Sequence, residues 1–219
     1  MRFIGFEKIF AFEPNVELVH PLIQEYHTCA DIQIFPFAIS SSNGSTQLHL
    51  FRGKKALEPK VYDHLSSLEF HEKSLLPDFL EYHRIETVPM RSLSSLIQDK
   101  ILPSSVGFLK VDTEGHDFFV FEGMSTNCQC ELIMFEFHSR NHWGNLPHLP
   151  QQEDIMRYLR KLGYVFFISL WQDLEGKYRF TPNTPVLTSQ VWGNTICFQN
   201  EVLFEKAYVY TKSLMPLSP

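Results

Sequence analysis

The sequence predicts an α/β fold, and three observations carry that expectation. Short, almost wholly apolar runs recur along the 219 residues. Segments with helical spacing lie between them. The order is mostly strand, helix, strand, helix, which implies a largely parallel sheet covered on both faces. A chain of this length can bury a large core within one domain.

The elements follow in order. Residues 8–12 read as a short buried strand, stopped by Pro14. Residues 15–26 place Val16, Val19, Leu22 and Ile23 at helical spacing, with Pro21 as an imperfection. Residues 32–39 read as a second strand, and Asn43-Gly44 marks the tip of a turn over 40–45. Residues 47–51 alternate, as a hairpin partner or edge strand does. Residues 53–83 hold charges, Pro59 and Pro77, and read as an insertion of loop and short helix. A strand over 86–90 leads into a helix around 93–101, with Ser92 as N-cap.

Residues 106–111 are the next strand, followed by a short helix over 115–121 that closes at Gly123 as C-cap. Residues 131–137 form another apolar strand that ends at His138. Residues 150–162 are an amphipathic helix, with Ile155, Met156, Leu159 and Leu162 on one face and Gly163 as its stop. Residues 164–169 and 194–199 are the last core strands, with a small hairpin over 176–180 between them. The expected organisation is a single domain over 1–211 and a flexible tail over 212–219.

Composition narrows the function classes. Hydrophobic residues make up 44% and charged residues 20%, as in ordinary globular proteins. Net charge is −6, and Lys and Arg form no long run, so nucleic acid is not an expected partner. Of the four cysteines, Cys128 and Cys130 are one residue apart, which is neither a zinc-ribbon nor a redox spacing. Reduced thiols are expected. No apolar run reaches the roughly 18 residues of a membrane helix, and the first residues lack signal-peptide features. The expected location is cytoplasmic.

The chemistry concentrates at strand ends. Asp112, Glu114 and His116 follow an apolar strand, at the edge where α/β proteins bind ligands. The carboxylates can orient a substrate, take a proton or cap the next helix. His116 is a candidate for proton transfer, the role histidine most often takes, or is simply a surface histidine. Glu13 ends an earlier strand, where a carboxylate either accepts from ribose hydroxyls or caps the following helix. Glu136 and His138 lie two apart at a third strand end. A metal site from Asp112, Glu114, His116 and His138 is chemically conceivable, but the spacing matches no zinc signature, and no metal is expected.

The segments AFEPN (residues 11–15), FAISSSNGSTQLHL (37–50), VPMRSL (88–93), LKVDTEGHDFFVFEGM (109–124) and LIMFEFH (132–138) resemble the FkbM family of S-adenosylmethionine-dependent methyltransferases. The resemblance spans roughly residues 9–198. It implies a Rossmann-like class I methyltransferase sheet, mostly parallel with a late antiparallel strand. It implies S-adenosyl-L-methionine as cofactor, with Glu13 on the ribose and Phe37, Ala38 and Ile39 near the adenine. Asp112 is then near the transferred methyl group, and Glu114 and His116 position or deprotonate the acceptor. His116 is the first choice as base, with Asp112 orienting it or the acceptor.

The implied reaction is methyl transfer to a hydroxyl of a sugar or small metabolite, so the implied partner is a small-molecule acceptor. The alternatives are a non-catalytic scaffold or interaction protein, and a metal-dependent hydrolase or glycosyltransferase. The family opens with a strand and a glycine-rich turn. Here twelve residues precede Glu13, with Gly5 as their one glycine. The fold is therefore expected to be N-terminally incomplete, through a late start site, a fragment or a degenerate relative.

Overall fold

Strand β1 (Ile9–Phe12) pairs in parallel with β2 (Ile32–Phe35), Ile9 opposite Ile32 and Phe12 opposite Phe35. The connection between them is α1 (Val16–Tyr26), whose first turn is capped by Asn15, Oδ1 accepting from Glu17 N at 3.0 Å. Pro21 lies inside α1 and removes one helical donor without ending the helix. This computed structural model describes residues 7–53, 66–69, 76, 80–124, 128–139, 142 and 145–215. The chain divides into two compact units, residues 1–104 with 119–128 and residues 105–118 with 129–219.

The first unit contains β1, α1 and β2 together with a second sheet. The strand expected over 32–39 is two strands. Pro36 has no N–H to continue the ladder, and β3 (Ala38–Ile39) pairs elsewhere, in parallel with β5 (Leu80–Arg91). On the other side of β5 runs β4 (Gly44–Gly53), antiparallel, giving the order β3-β5-β4. Ala38, Leu48, Leu50 and Val88 pack together from these strands, with Leu68 and Met90 against them. β5 starts six residues before the expected position 86, so residues 80–83 belong to a strand. Most of the insertion expected over 53–83 lies outside the described residues.

Helix α2 (Leu93–Gln98) is capped as expected, Ser92 Oγ accepting from Ser95 N at 3.2 Å. It ends before 101 because Lys100 takes a left-handed backbone, φ 59°. Gly123 directly follows the helix Asp117–Glu122, as the expected C-cap, but its backbone is not left-handed. A Cβ there would fall well inside contact distance of the Ser40 carbonyl oxygen, and the Gly123 carbonyl accepts from Ser94 N and Ser94 Oγ.

β6 (Ser105–Val111) opens the second unit and is followed by a tight turn and α3 (Asp117–Glu122), of which Asp117 and Phe118 fall in the second unit and the remainder in the first. β7 (Gln129–His138) leads to α4 (Gln152–Lys161), β8 (Phe166–Gln172), β9 (Tyr178–Pro182), β10 (Trp192–Phe198) and α5 (Glu201–Leu214). The sheet order is β6-β7-β10-β8-β9. β6 and β7 are parallel, and β10 lies antiparallel between β7 and β8. β9 is the expected small hairpin partner of β8.

Helix α4 buries Ile155, Met156 and Leu159, and Gly163 follows at φ 94°, as its amphipathic spacing predicts. Helix α5 packs Phe204 against Ile168, Phe180 and Phe198. The sequence pattern gives no element for α5, and residues 212–214 of the expected tail lie within it. The fold is thus α/β with mixed sheets, in place of the expected mostly parallel one; among the described strands only the two-stranded sheet is wholly parallel. Among the described residues no helix is long and apolar enough to cross a membrane.

Candidate functional site

β6 and β7 run in parallel and end at one edge, with Val111 opposite Phe135. Residues 112–117 therefore leave the sheet beside Glu136 and His138, which share a face of β7. The turn is tight. Glu114 and Gly115 are both left-handed, at φ 53° and 100°. Glycine adopts that backbone freely, whereas glutamate does so at a cost. The turn is closed by Thr113, whose Oγ1 donates to Asp117 Oδ2 at 2.7 Å.

The side chains converge. One donor atom each from Glu114, Glu136 and His138 lies within 4.8 Å of the other two. His138 Nε2 stands 3.9 Å from Glu136 Oε2, and both side chains are about nine-tenths buried. The His138 ring stacks on His142, centroids 4.7 Å apart and planes 13° apart. The Asp112 carboxyl lies close enough to Glu136 to raise its proton affinity. Asp112 itself is exposed and paired with the Lys110 ammonium. A cleft of about 40 Å³ opens here, lined by Gly115, Asp117, Glu136, His138 and Asn145 among others.

Crowding and burial shift these acids toward their neutral forms. Burial, then the charges of Asp112 and Asp117, push Glu114 up to about 8. Glu136 is raised by burial and then by Glu114, Asp112 and Asp117. Burial raises Asp117 to about 6, against the opposing hydrogen bond from Thr113. Burial lowers the pKa of His142. Carboxyls that keep their protons close to neutrality are suited to proton transfer.

Of the residues singled out from the sequence, Asp112 and Glu114 meet Glu136 here. His116 is buried in the same turn, but its ring nitrogens are not among the gathered donor atoms. The helix expected over 115–121 begins at Asp117. Asp117 is the residue that sequence reasoning missed. Its signal was the fourth ionisable group in Asp-Thr-Glu-Gly-His-Asp. Glu136 was visible as the i−2 neighbour of His138, and only strand pairing brings it to Glu114.

In the first unit, Glu13 closes β1, its N–H donating to Phe35 O at 3.1 Å. Glu13 Oε1 accepts from Asn15 N at 2.7 Å, and burial raises the carboxyl pKa against that bond. Three partly exposed aromatic rings adjoin it. Phe12 stacks on Phe35 at 5.2 Å, and Phe37 lies 5.5 and 5.6 Å from the two. Ala38 and Ile39 are buried, and Ala38 belongs to the apolar core of its sheet.

The chain matches no curated protein and no solved structure. A family model, described as the methyltransferase FkbM domain, matches residues 5–166, which include Glu13, the whole Asp112–Asp117 turn and Glu136 with His138. With about three-quarters of its length in that match, the chain belongs to the FkbM methyltransferase family.

Proposed function

We propose that this protein transfers a methyl group from S-adenosyl-L-methionine to a hydroxyl of a sugar or small metabolite. The observation that carries the reading is the turn after β6, where carboxyl groups with raised proton affinity gather at a strand end inside the family-matched segment. The order β6-β7-β10-β8, with β10 antiparallel, supports a Rossmann-like class I methyltransferase sheet.

The residues present fit the cofactor's chemistry. Glu13 offers a half-buried carboxylate at a strand end, the position that accepts from ribose hydroxyls. The Phe12, Phe35 and Phe37 cluster offers an apolar surface to a base, with the Ala38 and Ile39 backbone following it. When bound, S-adenosyl-L-methionine supplies a methyl group on an electrophilic sulfonium. The chain's part is to orient the acceptor and take its proton. Asp112 and His116 orient the acceptor hydroxyl, and a deprotonated Glu114 receives its proton. A carboxylate with a raised pKa is the stronger base once ionised. The reading includes a small-molecule acceptor, no nucleic acid and a cytoplasmic location.

Calorimetric titration with S-adenosylhomocysteine tests it. Saturable binding by the full chain, weakened at least about tenfold in Glu13→Ala, is expected for a lost charged acceptor. A folded chain that shows no binding overturns the reading and favours a non-catalytic scaffold.

A further inference from the structure

We propose that Glu114, Glu136 and His138 form a binding site for one divalent cation of the Mn²⁺ type. Its test is independent of the methyl-transfer reading, although Glu114 serves in both: with the ion bound, its carboxylate is a ligand and a weaker base. The three donor atoms come from the turn after β6 and from the end of β7, and they approach within 4.8 Å of one another. Two bonds of roughly 2.1–2.4 Å to a common ion span no more than about 4.8 Å. The spacing is therefore what a shared cation needs.

A second observation points the same way. Glu136 Oε2, Asp117 Oδ1 and Asn194 Oδ1 are buried oxygen atoms without a hydrogen-bond partner. Asp117 is only 3% exposed and lines the same cleft as Glu136 and His138. Asn194 pairs with Glu136 across β7 and β10, so the two side chains share a face. Buried acceptors without donors are costly, and most in folded proteins are satisfied. Here they stand beside several carboxyl groups, and Lys110 is engaged by Asp112 at the exposed side. A cation removes both problems at once.

The donor set selects the ion. Two carboxylates and one imidazole, with no thiolate, suit an octahedral first-row ion such as Mn²⁺ better than a closed zinc site. The remaining positions go to water, for which a cleft of about 40 Å³ has room. Asp117 Oδ1 and Asn194 Oδ1 then accept hydrogen bonds from that water, as outer-shell groups do. The ring of His142 against His138 holds the imidazole plane. The grouping differs from the set conceivable in the sequence: Glu114 and His138 remain, Glu136 enters, and Asp112 and His116 are not among the donors.

The test titrates the full chain, freed of metal, with MnCl₂ and follows free Mn²⁺ by its electron paramagnetic resonance signal. One Mn²⁺ bound per chain is expected, with affinity reduced at least about tenfold in Glu136→Gln and in His138→Ala, and unchanged in Glu175→Gln, an exposed position outside the cleft. Added Mn²⁺ should also raise the melting temperature of the unaltered chain and not that of Glu136→Gln. Glu136→Gln replaces a crowded buried acid by a neutral isostere, so its melt independently reports that it is folded. No saturable depletion of free Mn²⁺ by the folded chain overturns the proposal. So does binding by Glu136→Gln and His138→Ala that equals binding by the unaltered chain. Neither readout involves a methyl donor or an acceptor, so failure here leaves the reading of the reaction standing.

Discussion

Glu114 carries two costs at one position. Its backbone is left-handed, and its carboxyl group is buried among like charges. The second cost has a definite pH dependence in metal-free protein. The group ionises near 4.5 when unfolded and near 8 when folded. Between those values the folded chain holds more protons than the unfolded one, so stability falls as pH rises through the window. Asp117 adds the same sign between 3.8 and about 6. Thermal melts in chelator are expected to give a lower midpoint at about pH 8.5 than at about pH 5, and Glu114→Gln should flatten the difference. Gly123 makes a separate residue-scale demand. An added methyl would meet the Ser40 carbonyl, so Gly123→Ala should destabilise the chain by roughly 1–3 kcal/mol in denaturant titration. The sequence marks Gly123 as a helix stop because glycine after a helical run usually is one. Close approach of a distant carbonyl leaves no local signature.

At the scale of elements, legibility follows how local the deciding interaction is. Helix α4 is readable because its apolar stripe, acidic first turn and following glycine are all within the segment. Even so, its first residue does work that spacing does not reveal. Gln152 Nε2 donates to Ser169 Oγ and Thr195 Oγ1, both at 2.9 Å, and its Oε1 accepts from Val186 N at 2.8 Å. All three side chains are buried. Gln152→Leu would leave the Val186 N–H unsatisfied, and a loss of about 1–3 kcal/mol is expected by chemical denaturation. Helix α5 is harder to read because Val202, Val209, Tyr210 and Leu214 are exposed on it and blur the apolar face. The break between β2 and β3 is hidden for a related reason. Residues 32–39 are uniformly suited to strand, and only the choice of partner separates them.

For the whole chain, the alternation of strand and helix was enough to give the α/β class. It could not give the sheets, because β3 and β4 both find their partner in β5, from 27 residues away (Gly53 and Leu80) to 52 (Ala38 and Met90). The candidate site divides in the same way. Asp112, Glu114 and His116 are visible as a motif, whereas Glu136 and Asp117 join it through parallel pairing and burial. Strand β10 extends the point in a different direction. It is the last of the described strands, yet it lies between β7 and β8. During synthesis, therefore, neither of those strands has its inner neighbour until Trp192–Phe198 has left the ribosome. A nascent chain halted earlier presents two apolar strand edges open to other chains. Messages cut short before residue 198 are therefore expected to yield insoluble product on fractionation rather than a smaller folded domain.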